Sequence, residues 1–408
     1  MKQPQHHGKG EFICRMAVLM SLAALAIDTV LPALEMIGTS LGVADGNDSQ
    51  LVISLFFVGM ACGQMLYGPV SDAFGRKPAL YLGICVFLGG SLVSLLATTF
   101  AAMLVGRVLQ GFGICCCRVV SMAMIRDSLE GREMARVMSL IMVLFIVVPA
   151  IAPSLGQLIL YCGNWRGIFL LLFLAAAASL LWAWRRQPET LAVAKRRPFS
   201  AAVIGAGIAE TLRHPVSRSY TLASGIIFGG FVGYLNSAQQ ILQIHYGLGD
   251  LFALYFGVLA VAIGLSSFVN AKLVVRYGVE GPSIVALLVL AASSLAFLLF
   301  AGAVPGGPSL WPFMAFLTLV FFCFGVLFGG FSTLAVQPMG HIAGVAMSVI
   351  SSLQTLLSAL VGGGIGWAYD GSVRPLVAGF FFCAVASLAM VGYVRRQRRV
   401  TGDKGGNG

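Results

Sequence analysis

Gly68-Pro-Val-Ser-Asp72-Ala-Phe-Gly75-Arg76-Lys77-Pro78-Ala-Leu80 is a short charged turn set between two long apolar runs. It reads as a cytoplasmic turn joining two membrane helices. Gly68 lets the first helix approach a neighbour closely, Gly75 permits a positive-φ turn, and Pro78 suits the first turn of the following helix. Arg76 and Lys77 hold the turn on the cytoplasmic side, where basic residues accumulate.

The composition around this turn excludes a soluble chain. Of the 408 residues, 58% are hydrophobic and only 10% charged, against roughly 25% charged in ordinary soluble domains. A helix needs about 20 mostly apolar residues to cross a bilayer. Twelve runs of that kind emerge at 13–36, 49–71, 78–97, 101–125, 136–160, 164–185, 219–243, 250–273, 282–303, 310–335, 343–368 and 373–395. The expected fold is therefore an all-α membrane protein.

Charge tests the count independently. With both termini inside, every one of the 26 basic residues except Arg107, Arg118, Arg166 and Arg374 falls on the cytoplasmic side, as the positive-inside rule requires. The net charge of +11 then reflects topology and attraction to anionic lipid, with no nucleic-acid partner. Lys2, Lys9 and Arg15 precede an apolar run as in a secretion signal. No small-x-small cleavage site precedes a soluble domain, so the run is read as an uncleaved first span.

The longest polar interval, from Arg185 to about Arg218, contains Pro188, Pro198 and Pro215. It divides the chain into an expected six-helix bundle (1–185), a cytoplasmic central loop (186–218), a second six-helix bundle (219–395) and a cytoplasmic tail (396–408). Gly278-Val-Glu-Gly-Pro282 follows Gly75-Arg-Lys-Pro78 by about 203 residues and joins the same pair of spans in its half. In this copy Val275 replaces the aspartate and Val279 the arginine.

Asp28 is the one carboxylate well inside an expected span, about 20 Å into a core about 30 Å thick. A charge there is costly unless it is paired or faces water, so movement between two environments would load and release a proton. A static aspartate that hydrogen-bonds helices together is the alternative. Span four places Arg107 at nearly the same depth, where it could pair with the acid or tune it. Arg118 lies eleven residues on, back on the same helix face. That stripe could line a hydrated cavity, or Arg118 could snorkel to the headgroups. At the inner end of span four, Asp127 faces the same compartment as Asp72 and Arg76, so the opposite charges could form a latch or remain a solvated loop.

Span five holds Pro149-Ala-Ile-Ala-Pro153-Ser-Leu-Gly156, an unusual load of helix disruptors. Tyr234, Asn236, Gln239 and Gln240 form a polar cluster in the outer half of span seven, facing cargo or simply the membrane boundary. Residue 231, the symmetry mate of Asp28, is Phe231. The nine cysteines contain no CxxC pair, and the adjacent Cys115, Cys116 and Cys117 read as small packing residues. His6, His7, His214, His245 and His341 show no metal or nucleophile–base spacing. Neither a cofactor, a metal site nor an enzymatic activity is expected.

Gly68, Asp72, Gly75, Arg76 and Lys77 meet the signature G-x-x-x-D-x-x-G-R-[RK], and here the chain resembles the major facilitator superfamily. Asp28-Thr-Val-Leu-Pro32, Gly106-Arg107-Val-Leu-Gln110-Gly111, Arg118 through Asp127, Asn164-Trp-Arg166 and Pro338-Met-Gly-His-Ile-Ala-Gly344 together resemble its bicyclomycin/chloramphenicol-resistance branch of drug:proton antiporters. The resemblance implies two six-helix pseudo-repeats in a monomer of the bacterial inner membrane, with substrate held near mid-membrane. It implies proton coupling through Asp28 supported by Arg107, a cytoplasmic gate braced by the Gly68–Leu80 turn, and an antiporter motif at Pro149, Pro153 and Gly156. Cargo would be a small amphipathic compound exchanged for protons, or a cellular metabolite such as a sugar or amino acid.

Overall fold

A computed structural model describes residues 9–196 and 198–403. Lys2, His6, His7, Arg197 and Lys404 lie outside the described residues. Helices run in the order α1 Lys9–Asp28, α2 Leu34–Ser40, α3 Leu51–Phe74, α4 Arg76–Leu95, α5 Phe100–Ser128, α6 Gly131–Cys162 and α7 Arg166–Arg186. There follow α8 Ala201–Arg213, α9 Pro215–Ala238, α10 Phe252–Tyr277, α11 Glu280–Ala303, α12 Leu310–Val336, α13 Ala343–Trp367 and α14 Arg374–Asp403. No strand occurs among the described residues.

Ten helical segments are long and apolar enough by themselves to cross a membrane, one of them joining α1 and α2 as Gly10–Ser40. The helices α6 and α9 complete the twelve-helix set. The helix α6 is apolar along most of its length, with the unbroken run Leu140-Ile-Met-Val-Leu-Phe-Ile-Val-Val148 ahead of Pro149. Nearly the whole of α9 is buried, including Ser219, Thr221, Ser224, Asn236 and Ser237. A helix that touches protein on most sides needs small and polar packing residues more than apolar lipid-facing ones.

The expected span 13–36 lies within the single apolar segment Gly10–Ser40. Inside it the helix is broken: α1 stops at Asp28, a 3₁₀ turn covers Leu31–Ala33, and α2 begins at Leu34. Pro32 has no N–H to give the Asp28 carbonyl, which favours a break in the ladder at this point. By contrast α6 continues through Pro149 and Pro153 without interruption.

The chain forms two compact units, Met1–Ile204 with Leu248–Val261, and Gly205–Gly247 with Ala262–Gly408. In the first, α5 packs along α3 and α4, and α1 lies against α6. Cys115 fills a notch at Gly63 of α3 and Cys116 one at Gly83 of α4, so these thiols act as small packing groups. In the second, α9 is flanked by α12, α13 and α14. The interval between the spans of the two halves also holds α8, whose Gly207 abuts Val345 of α13. Glu210 of α8 pairs with His341 at 2.7 Å.

Candidate functional site

The break in the first span is the most unusual feature of the first unit. Thr29 Oγ1 donates to the Leu25 carbonyl at 2.7 Å, which draws the last turn of α1 onto itself. Beyond it Val30, Leu31 and Ala33 are completely buried. From the other side comes α6, where a Cβ on Gly156 would collide with the Thr29 carbonyl oxygen and approach Pro32. Only glycine allows this contact, so Gly156 and Pro32 together fix where α1 ends. Asp28, the last residue of α1, is 5% exposed. Among the described residues no hydrogen bond or ion pair reaches its carboxylate.

Arg107 is fully buried but is not paired with Asp28. Its Nη1 donates to the Ala26 carbonyl at 3.1 Å and to Gln110 Oε1 at 2.9 Å. Its Nε donates to the Val52 carbonyl at 2.9 Å, and the guanidinium lies 4.4 Å from the centre of the Phe56 ring. A buried cation is tolerated when carbonyl dipoles and a ring face take the place of water. Gln110 Nε2 continues the chain to Ser91 Oγ at 2.8 Å. Thus α5 grips α1 two residues before Asp28 while α6 presses one residue after it, and Nη2 of Arg107 has no hydrogen-bond partner among the described residues.

At the turn between α3 and α4, Arg76 gathers the charges. Its Nε donates to Asp127 Oδ2 at 2.9 Å, and its Nη1 donates to Ser71 Oγ at 2.8 Å and to Asp72 Oδ1. Arg76 is 5% exposed, whereas the side chains of Asp72 and Asp127 are 41% and 21% exposed, so the bridge is only partly shielded from solvent screening. Lys77 Nζ reaches the Trp184 carbonyl at 3.5 Å. Gly75 has φ 108°. Gly68 lies one turn before Asp72, and its carbonyl accepts from Ser71 Oγ at 2.8 Å.

The remaining sequence candidates are more dispersed. Arg118 is accessible although it shares a face of α5 with the fully buried Arg107. Pro153 is buried beside Gly156, and Pro149 is half-buried. In the second unit Tyr234 stacks edge-on against Phe321 at 4.8 Å, and Asn236 Nδ2 donates to the Gly362 carbonyl at 3.0 Å. Gln239 is buried and opens a π-helical turn over Gln239–His245. Phe231 sits in an aromatic group with Phe228, Phe321, Phe324 and Phe328.

Two contributors had escaped sequence reasoning. Gln110 extends the Arg107 network, and its spacing of three from Arg107 was a usable signal. Glu189 contacts the turn from beyond span six, signalled only by a carboxylate directly after Pro188. Trp165 Nε1 donates to Ser40 Oγ at 2.7 Å and Arg166 Nη2 to the Ala97 carbonyl at 2.8 Å, tying α2 and the end of α4 to α7.

Residues 16–363 match the family described as the Major Facilitator Superfamily. The bicyclomycin resistance protein homolog of Haemophilus influenzae is 27% identical, with 92% of this chain and 94% of that protein covered. The multidrug resistance protein MdtL of Escherichia coli is 28% identical, covering 95% of this chain and 96% of the relative. Among solved structures, a peptide transporter POT in complex with sulfate superposes with a TM-score of 0.75 at 14% identity, over 98% of this chain and 96% of that one.

Proposed function

This chain belongs to the Major Facilitator Superfamily, a multi-pass membrane transporter, and from that premise we propose that it is a proton-coupled antiporter exporting small amphipathic compounds. It resides in the bacterial inner membrane as a monomer with both termini cytoplasmic, and two six-span halves, before and after the central interval, alternate access to the two sides. The names of the Haemophilus and Escherichia relatives support a drug-like cargo.

The observation that carries the reading is Asp28, a buried carboxylate with no partner among the described residues, at a break in a membrane helix. Intramembrane carboxylates are expensive and mark ion pathways more often than packing. Arg107 on one side and Gly156 on the other fix the end of α1, so the carboxylate keeps its position when its proton leaves. In the cycle, Asp28 takes a proton from the outer side, the halves rock inward, and cargo binding in the same cavity displaces the proton. Arg76, Asp72 and Asp127 hold the cytoplasmic gate shut during outward opening.

The test is transport by purified protein in proteoliposomes under an imposed pH jump, against a panel of bicyclomycin, fluorescent cations, sugars and amino acids. Asp28→Asn should abolish gradient-driven movement of whichever compound the wild type transports, with the apparent unfolding temperature unchanged. Equal gradient-driven transport by the variant would sink the reading. Transport of sugars or amino acids alone would move the cargo to cellular metabolites.

A further inference from the structure

The helix α4 begins without a capping side chain of its own. Its N-cap is Gly75, and Pro78 in its first turn has no N–H, which leaves the amides of Arg76 and Lys77 as the donors in need of acceptors. Both are satisfied from far along the chain. The Arg76 amide donates to Glu189 Oε1 at 3.0 Å across a separation of 113 residues, and the Lys77 amide donates to Glu189 Oε2 at 3.0 Å. The same Oε1 accepts from the amides of Thr190 at 3.0 Å and Leu191 at 2.9 Å, so the carboxylate is fixed by its own backbone. A Cβ on Gly75 would stand 2.6 Å from Glu189 Oε2. The carboxylate therefore occupies the place where a side chain at residue 75 would be.

The neighbours of Glu189 reach the other parts of the gate. Thr190 Oγ1 donates to Asp127 Oδ2 at 3.4 Å, the same oxygen that Arg76 Nε holds. Arg15 Nε of α1 donates to Gln187 Oε1 at 3.0 Å, and Gln187 is buried. Three of the first four residues after α7, Gln187, Glu189 and Thr190, thus touch the ends of α1, α4 and α5. A negative carboxylate at the positive end of α4 also suits the helix dipole.

We propose that Glu189 is a positioning residue for the cytoplasmic gate: by capping α4 in place of the absent side chain of Gly75, it holds the turn where Arg76 can bridge Asp72 and Asp127. The segment that leads into the central interval thereby sets whether the bridge persists. The word gate rests on the transport reading above, whereas the cap does not.

The experiment is hydrogen exchange followed by mass spectrometry on the full-length protein in nanodiscs, comparing wild type with Glu189→Ala, Glu189→Asp and Asp28→Asn. Glu189→Ala should speed exchange about tenfold in residues 71–81, the scale of losing a helix cap. It should also speed exchange in residues 122–130, which carry Asp127 but donate no hydrogen bond to the Glu189 carboxylate. Glu189→Asp should restore most of the protection at both places. If Glu189→Ala does not fold, Glu189→Gln, which keeps one accepting oxygen, should give the same pattern at smaller amplitude. Unchanged exchange in residues 71–81 overturns the cap, and a change confined to that segment overturns the positioning of the gate. Glu189→Ala should lose the same protection relative to an Asp28→Asn parent as relative to the wild type, so failure of the proton-coupling reading is seen separately in the transport assay.

Discussion

In the first unit Arg166, at the start of α7, donates to the carbonyl of Ala97, and in the second Arg374, at the start of α14, donates to that of Ala301. The donor, the acceptor and their places at the ends of equivalent spans are alike. At the opposite ends of the same spans the chemistry is reversed. The first turn of α4 carries the cations Arg76 and Lys77 and takes an acid, Glu189, from just beyond α7. The first turn of α11 carries an acid, Glu280, and takes a cation, Arg395, from the last part of α14, with Nε to Oε1 at 2.7 Å. Duplication explains a shared fold, but a carbonyl contact survives sequence drift because any residue offers a carbonyl. A side-chain pair survives only as a pair, so it can be inverted or lost.

Glycine substitutions give the largest test of this contrast. Gly156→Ala drives a methyl into the backbone of the break beside Asp28, whereas Gly364→Ala in α13 meets open space. The first should cost about 1–3 kcal/mol by overpacking, seen as a lower unfolding temperature in detergent together with loss of gradient-driven transport. The second should stay within about 0.5 kcal/mol of the wild type. Equal effects would mean that α6 can retreat from Thr29 and that the break is not clamped.

Next in size is a pair at the turns. Gly75 and Gly278 both have positive φ, 108° and 73°, so alanine strains either backbone by about 1 kcal/mol. Only Gly75→Ala also meets a carboxylate, and it should be the more destabilising of the two. That excess should shrink in a Glu189→Ala background, because neighbours sharing one contact are not additive. An excess that persists there would assign the difference to the backbone alone.

The fold was legible because apolar length and basic-residue placement are properties of each segment by itself. The twelve spans could be counted that way, and so could the signature turn. The break at Asp28 was half legible: Pro32 announces it, yet a hydropathy window of about 20 residues reads across a proline without noticing. Asp28 could be singled out because a lone intramembrane carboxylate is rare. Its surroundings could not, since the Arg107 guanidinium goes to the carbonyls of Ala26 and Val52, and carbonyls leave no mark in a sequence. The Glu189 cap spans more than a hundred residues and joins a carboxylate to backbone amides, so it too becomes visible only when the chain is folded.

At the starts of α7 and α14 the two units should respond alike. Arg166→Ala and Arg374→Ala each remove one hydrogen bond from a partly buried guanidinium, costing about 1 kcal/mol, with the more exposed Arg374 below Arg166. A much larger loss at Arg166 would credit the ring of Trp165, 4.2 Å from its guanidinium, rather than the carbonyl that both corners share.

The smallest effect belongs to the reversed corner. Arg395 and Glu280 are exposed by 50% and 26% at their side chains, and such pairs contribute about 1 kcal/mol or less. Arg395→Ala and Glu280→Ala should therefore each shift the unfolding temperature only slightly, with a coupling that fades as salt is raised. Exchanging the two, Glu280→Arg with Arg395→Glu, should recover what either single reversal loses if the inversion between the units is chemically neutral. At α4 no such exchange can succeed, because the acceptors there receive backbone amides, and an arginine at position 189 has no acceptor to offer them. A neutral swap in the second unit beside a damaging Glu189→Arg in the first would show that the two corners differ in what the carboxylate binds: a side chain in one, a helix end in the other.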